Sequence, residues 1–248
     1  MDAKVAIDLH IHSTLSPCGA EEMLPPQVLL TAERRGIAVV GIVDHCCARN
    51  AWAFMEAAPA FEVRVFVGLE VESAENVHLL ALFDSVAAAM EMDRIVSEHL
   101  PPLKNRADLF GRQILVDEWG ESIGVDDRLL ITATDLSVER VAGLTHELGG
   151  MSIAAHVDRS ANGLLRILGF VPPKLQVDVF EISASLSVPA ALARYPDLLG
   201  RPLITAGDAH CLADIGRAVT TISRDLAEAQ VDAAEWGRRL AEEVGGGA

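Results

Sequence analysis

Near the N-terminus the chain reads D-L-H-I-H-S-T-L-S-P-C-G (Asp8 to Gly19), with two histidines flanking one isoleucine at the end of a short apolar run. Endings of the same kind recur as V-D-H at Asp44-His45, G-L-E at Glu70, A-A-H at His156 and G-D-A-H at Asp208 and His210, while His78 opens the run H-L-L-A-L-F. Alternate residues of a strand share a face, so H-x-H and D-x-H each aim two side chains the same way. Imidazole and carboxylate donors together suit Zn, Mn or Fe, and so many of them imply more than one ion, since a catalytic zinc takes about three protein ligands. Taken singly, each histidine is an ordinary core or surface residue. Their joint recurrence at strand ends is what points to metal chemistry. His99 and His146 fall on helical stretches, where an ordinary structural role is the simpler reading.

The elements that must position these groups follow from the pattern of apolar runs. Strands are expected at Val5–Leu9, Ala38–Val43, Val63–Val71, Val77–Phe83, Met151–Ala155, Val177–Ile182, Pro202–Ala206 and Ala218–Ile222. Between them lie helical stretches at Pro26–Arg35, Ala48–Ala58, Val86–His99, Ser137–Leu148, Gly163–Leu168 and Ala190–Tyr195. Such alternation predicts a largely parallel α/β sheet, and continuous apolar strands are those covered on both faces. In parallel barrels the C-terminal strand ends form one rim, where groups far apart in sequence converge. Residues 84–134 break the alternation with a Pro-Pro step at 101–102 and a hairpin pattern from Gln113 to Gly124, which reads as an insertion or lid. A last helix is expected at 225–243, and the G-G-G-A tail after it is expected to fray.

Composition sets outer limits. The formal charge is −16, with only three lysines, which argues against a basic groove for duplex nucleic acid, where phosphate neutralisation dominates. Bound divalent cations would offset part of that charge locally and receive an anionic substrate. The N-terminus has no cationic and apolar leader pattern, no apolar stretch is long enough to span a bilayer, and the four cysteines form no C-x-x-C pair. The expectation is a cytoplasmic protein without a membrane partner, its oligomeric state left open.

Taken in order, D-L-H-I-H-S, V-D-H, G-L-E, H-L-L, A-A-H and G-D-A-H resemble the motif set of the PHP (polymerase and histidinol phosphatase) family of metal-dependent phosphoesterases. The resemblance covers roughly residues 4–222 and implies one distorted (β/α)7 TIM-like barrel domain across 1–248, with a trinuclear metal cluster in its mouth. It implies that His10, His12, Glu70 and Asp208 hold one ion, that Glu70 as a bridge with His78 and His156 holds a second, and that His45 and His210 belong to a third. Two to three divalent ions (Zn, Mn or Fe) are thus expected.

The family pattern has S-D-G after H-x-H, where the aspartate serves the third ion; this chain has S-P-C-G, one residue longer. Three readings stay open. Cys18 replaces the carboxylate as a thiolate and favours a softer ion, or Glu21 or Glu22 reaches back, or Cys18 is a packed turn residue beside a two-metal site. Cys46, Cys47 and Cys211 all neighbour metal motifs, with burial the simpler reading for Cys46 and Cys211.

A cluster of this kind suits phosphoester hydrolysis, because it supplies hydroxide near neutral pH and clamps charged oxygens during displacement. Glu70 would be the anchor, and Asp208 or His210 would pass the proton to the leaving alkoxide. Arg49 and Arg159, just after strand ends, are the expected phosphate-binding residues, with Arg217 and Arg112 weaker. The expected substrate is a small phosphomonoester: a nucleotide bisphosphate, a short 5′-phosphorylated oligonucleotide or a compound like histidinol phosphate, with Trp52 placed to stack on a base. An amidohydrolase-type enzyme is the nearest competitor, yet Lys4, Lys104 and Lys174 are badly placed to bridge metals. A catalytically silent regulatory or scaffold module is the remaining alternative.

Overall fold

The computed structural model describes residues 3–245, so the expectation for the tail beyond Gly245 lies outside the described residues. The described residues form ten strands in chain order: β1 Lys4–Ile11, β2 Ile37–His45, β3 Arg64–Glu72, β4 His78–Phe83, β5 Ile114–Val116, β6 Ser122–Val125, β7 Met151–Ala154, β8 Val179–Ile182, β9 Leu203–Thr205 and β10 Thr220–Ser223. Among the described residues, nine α-helices accompany them: α1 Pro25–Arg34, α2 Ala51–Ala57, α3 Val86–His99, α4 Ala107–Phe110, α5 Val138–Glu147, α6 Leu164–Ile167, α7 Val188–Arg194, α8 Arg224–Ala227 and α9 Ala233–Gly245. Local chemistry sets several starts. Pro25-Pro26 open α1, and Ser85, Ser137 and Ser187 cap α3, α5 and α7 by accepting from the backbone N–H three residues on.

Eight strands form one sheet in the order β10-β1-β2-β3-β4-β7-β8-β9. The sheet curls into a nearly closed barrel, an α/β distorted TIM-like fold, in which side chains draw β9 and β10 together. Thr205 N–H donates to Thr220 Oγ1 at 2.8 Å, and Thr205 Oγ1 donates to the Val219 carbonyl at 2.8 Å. Next to this seam, His12 N–H donates to Ala209 O at 2.9 Å and Ala209 N–H to His10 O at 3.0 Å. The barrel has eight strands where the family resemblance implied seven, and β4 and β10 run antiparallel to their neighbours. Because β4 is reversed, its first residue lies at the same rim as the last residues of β2 and β3, so His78 pairs across from Glu72.

The period-2 alternation divides the strands' side chains between two cores. Val5, Ile7 and Leu9 of β1, Val39 and Val43 of β2, Phe66 of β3, Leu80 and Leu82 of β4, Val179 of β8 and Ile222 of β10 share one cluster with Trp236 and Leu240 of α9. This is the barrel interior, plugged from below by α9. The intervening residues, such as Val40, Val67, Leu69 and Leu79, pack outward against α1, α2, α3 and α5.

The expected C-terminal helix is in fact two, α8 and α9, broken between them. The Arg64 guanidinium takes up the carbonyls freed there, donating to Ala229 O and, at 3.1 Å, to Val231 O. Trp236 Nε1 donates to Leu226 O at 2.8 Å across the same break. Within 84–134, α3 packs on β3 and β4 as part of the helix layer. The remainder carries the β5–β6 hairpin, which is stitched to the loop after β1: Ile114 N–H donates to Thr14 O at 2.8 Å, and Asn50 bridges Ile114 O and Val116 N–H at 3.1 Å each.

Candidate metal centre

Glu70 stands at the middle of the barrel mouth, fully buried, on the interior face of β3 two steps above Gly68 and four above Phe66. Its Oε1 lies 2.7 Å from His78 Nδ1, 3.0 Å from His156 Nε2 and 3.4 Å from His10 Nε2. Its Oε2 lies 3.0 Å from His45 Nδ1 and 3.4 Å from His12 Nε2. One carboxylate therefore touches five imidazoles, from β1 and the residue just past its end, from β2, from β4 and from the turn after β7. His45 and His78 are placed by simple alternation, on the same faces as Val43 and Leu80 below them.

The other groups need irregular backbone. The β1–β2 pairing slips between Asp8 and Ile11, so Leu9, His10 and His12 all reach the interior while Ile11 packs outside. His156 (φ 27°) and Asp208 (φ 47°) occupy the left-handed region, as does Cys46 (φ 46°) directly after His45. Non-glycine residues rarely sit there, and the cost is typical of functional sites.

Asp208 Oδ1 lies 3.4 Å from both His10 Nε2 and His12 Nε2, and those two nitrogens are 3.2 Å apart. Ligands about 2.0–2.1 Å from a tetrahedral ion lie about 3.3 Å from one another, so these separations fit a metal ion between the donors. Further metal-capable sets are His45 with Glu70 and His78, and His12 with His45 and His210.

Supporting contacts fix which nitrogen faces the centre. His10 Nδ1–H donates to Glu181 Oε2 at 2.9 Å, and His12 Nδ1–H donates to Ser16 Oγ at 2.8 Å, so both leave Nε2 inward. Ser16 Oγ in turn donates to Asp44 Oδ1 at 2.6 Å, and Asp44 also accepts from Ser13 N–H (2.7 Å) and Ser13 Oγ (2.6 Å). Asp8 ties β1 to the loop after β9 by accepting from Gly207 and Gly216 N–H at 2.8 Å each. Glu181 was not among the groups expected from the sequence. The available signal was an acid inside the apolar run V-F-E-I, which β8 buries completely.

The charges follow from this packing. Burial opposes the Glu70 carboxylate, but the charges of His78, His10 and His45 hold it well below the usual carboxylate range. Burial likewise works against Asp208, yet His10 and His12 keep it ionised. Burial and the neighbouring His210 and His45 push His12 down, leaving it neutral as a ligand must be. His10 is pushed up, desolvation being outweighed by Glu181, Asp208 and Glu70. His210 is also raised, chiefly by the Cys18 thiol against the desolvation that lowers it.

The remaining expected residues divide. Cys18 is exposed on the loop after β1; desolvation raises its thiol, but the nearby His210 and His45 imidazoles win and bring it down to about 6. Glu21 pairs with Arg112 at 3.8 Å, and both Glu21 and Glu22 are exposed. Arg159 pairs with Asp208 Oδ2 and, with Ser183, Ser185, His210, Asp214 and Arg217, lines a cavity of about 480 Å³ beside the cluster. Arg217 Nε donates to Gly207 O at 2.6 Å in the same wall. Arg49 is not brought to the cluster; it pairs with Asp126 at 3.2 Å and faces α3 residues Arg94, Ser97 and Glu98. Trp52 is 46% exposed on α2. Cys46 and Cys47 are buried thiols pushed up by desolvation, Cys46 to about 12, and Cys211 donates to Asp214 at 3.3 Å. No described helix is long and apolar enough to cross a membrane.

The fold is a distorted α/β barrel whose mouth gathers histidines and carboxylates. No protein-family profile matches the sequence, and no curated protein matches it either. Among solved structures, the lesion-specific endonuclease Q of Pyrococcus furiosus superposes with a TM-score of 0.63 at 19% identity, covering 88% of this chain and 52% of its own. A two-domain Bacteroides vulgatus protein containing a predicted PHP-like metal-dependent phosphoesterase gives 0.58 at 13% identity, over 97% of this chain and 64% of the other. An amidohydrolase from Chromobacterium violaceum gives 0.56 at 20% identity, over 88% and 91%. The barrel is thus the PHP-like fold that the motif set implied, and the chain spans about half the length of endonuclease Q.

One expectation is corrected here. Endonuclease Q has also been solved with a 27-mer duplex carrying an abasic lesion at its active site, with a TM-score of 0.62 to this chain at 18% identity. Duplex nucleic acid is therefore not excluded by the net charge of −16. That total sums over the whole surface and does not set the local field at the mouth, where bound cations would offset negative charge.

Proposed function

We propose that this chain is a metal-dependent phosphoric ester hydrolase of the PHP family acting on a small phosphomonoester, such as a nucleotide bisphosphate, a short 5′-phosphorylated oligonucleotide or a histidinol phosphate-like compound. The observation that carries the reading is the Glu70 carboxylate, buried and in reach of five imidazoles. His10, His12, Asp208 and Glu70 would hold one divalent ion, and Glu70, His78 and His156 a second, the metals being Zn, Mn or Fe. Such ions supply hydroxide near neutral pH and neutralise developing charge on phosphoryl oxygens.

The chain's own groups do the rest. Arg159, at the cavity edge and 46% exposed on its side chain, is placed to clamp a phosphate while still touching Asp208. Asp208, ionised and held by Arg159, is a poor proton donor. His210, on the cavity wall and raised by Cys18 and Asp208 against the desolvation that lowers it, is the group placed to pass one to the leaving oxygen. Against the amide-hydrolysis reading, the bridging position among the histidines is filled by Glu70, and Lys4 pairs with Glu243 at 2.7 Å.

Two measurements test the proposal. Elemental analysis of protein purified without added metal is expected to show at least two ions per chain, reduced in His12→Ala. Turnover is then screened with Mn, Zn and Fe on histidinol phosphate, 3′,5′-nucleotide bisphosphates, short RNA, bis-p-nitrophenyl phosphate, an abasic duplex and a panel of amides. Ester hydrolysis without amide hydrolysis supports the reading. Full metal loading with no ester turned over would replace it with the scaffold alternative.

A further inference from the structure

The inserted hairpin and the histidine cluster are joined by a row of buried polar side chains that the proposed reaction does not use. From the hairpin inward, Val116 N–H donates to Asn50 Oδ1 at 3.1 Å, and Asn50 Nδ2 donates to Ile114 O at 3.1 Å and to Ser13 Oγ at 3.0 Å. Ser13 Oγ donates to Asp44 Oδ2 at 2.6 Å, Ser16 Oγ donates to Asp44 Oδ1 at 2.6 Å, and His12 Nδ1–H donates to Ser16 Oγ at 2.8 Å. Asn50, Ser13, Asp44, Ser16 and His12 are all buried, so water does not compete for these links.

Each link has only one possible direction. In β5, Val116 N–H can only donate and Ile114 O can only accept. They fix the Asn50 amide with its oxygen toward the first and its nitrogen toward the second, which leaves an N–H facing Ser13. At the other end, Asp44 Oδ1 already accepts from Ser13 N–H at 2.7 Å and Ser16 N–H at 3.1 Å, so the Ser16 hydroxyl must donate to it. A hydroxyl has one proton. With that proton spent on Asp44, Ser16 Oγ has only lone pairs to offer the His12 ring, and the ring proton sits on Nδ1. The bare nitrogen is then Nε2, the atom 3.2 Å from His10 Nε2 and 3.4 Å from Asp208 Oδ1. Without Asp44 as acceptor, Ser16 would be free to turn and donate to Nδ1, which places the ring proton on Nε2 and blocks an ion there.

We propose that Asp44 and Asn50 are positioning residues: through Ser13 and Ser16 they carry the fixed polarity of the hairpin backbone to His12 and hold it in the tautomer whose Nε2 ligates an ion. The insertion thus conditions metal binding without touching the metal. The inference rests on the metal-hydrolase reading above and deepens it.

Nitrogen-15 spectra of histidine-labelled, ion-free protein at mildly alkaline pH report which ring nitrogen carries the proton, with His12→Gln identifying the signal. The expected result is a His12 proton on Nδ1 in the wild type and a shift toward Nε2–H in Ser16→Ala and Asn50→Ala. Competition with a chelating dye should show zinc affinity reduced ~10–100-fold in Ser16→Ala and by less in Asn50→Ala. Asp44→Asn, which keeps an acceptor oxygen toward Ser16, should retain the Nδ1 proton. Ile123→Ser, on the exposed face of the hairpin, should change neither reading. A merely structural role would lower stability in Asn50→Ala and leave both tautomer and zinc affinity as in the wild type, and that result overturns the proposal. So does a wild-type His12 with its proton on Nε2, a measurement that needs no variant to fold. Protein that binds no zinc overturns the metal reading itself, whereas the tautomer, read without ions, judges the row of contacts on its own.

Discussion

At the lower end of the barrel Ile7, Val39, Phe66 and Ile222 close on Trp236, whose ring lies 5.0 Å from that of Phe66. At the mouth, the same strands β1, β2 and β3 present His10, His45 and Glu70. Both layers are buried, and both are filled by alternate residues of the same strands. The lower layer is apolar and needs only volume to be filled, so it gains stability in proportion to the area removed from water. The upper layer buries carboxylates and imidazoles, whose desolvation is met only by pairing with one another or with ions. One barrel thus divides its interior into a half that holds the fold and a half that gathers the candidate metal ligands, at the C-terminal rim where sites gather in such barrels.

This division can be broken from either end. Glu70→Gln removes the shared charge and is expected to cut turnover by roughly 10³-fold or more while the chain stays folded, seen as lost metal content beside an unchanged far-ultraviolet spectrum. Trp236→Ala should do the converse, costing about 3–5 kcal/mol in denaturant unfolding. The fraction still folded should keep its full complement of ions. If Trp236→Ala also lowered metal stoichiometry in folded protein, the two layers would not be separable.

Smaller effects sharpen the boundary between the layers. Glu181→Gln keeps the shape of β8 but weakens the partner of His10 Nδ1, and competition with a chelating dye should show metal affinity reduced by ~10–100-fold. The smallest effect lies at the lower end, where His146 Nε2–H donates to Asp178 Oδ2 at 2.9 Å, which raises the imidazole above its usual value. Both folded and unfolded forms are protonated below the unfolded value, so the pair contributes fully there and is lost as pH rises through the higher folded value. His146→Gln should therefore cost about 0.5 kcal/mol in mildly acidic solution, discounted for partial exposure, and close to nothing in alkaline solution. Metal content should be unchanged at either pH.

Much of this arrangement was legible in order of residues alone. The apolar runs located the eight barrel strands to within a few positions, and simple alternation above Val43, Phe66 and Leu80 predicts inward-facing His45, Glu70 and His78. Glu181 was equally readable as an acid inside an apolar strand, but an isolated carboxylate carries no motif. Arg49 shows the reverse error. Its position after a strand end suggested the mouth, yet the turn through Cys46, with its positive φ, sends it to Asp126 on the insertion.

What the sequence determined by itself is therefore the inventory of donors and the strand ends that carry them, because residue type and period-2 alternation are local properties. Only the tertiary structure decided that β4 runs backwards to bring His78 to the common rim, and that a slip in β1 turns both His10 and His12 inward. It also decided that the left-handed turns at His156 and Asp208 complete the cluster, and that Cys18 comes near the His45 and His210 imidazoles. These features depend on pairing between strands and on contacts across the barrel, which no local stretch of chain encodes.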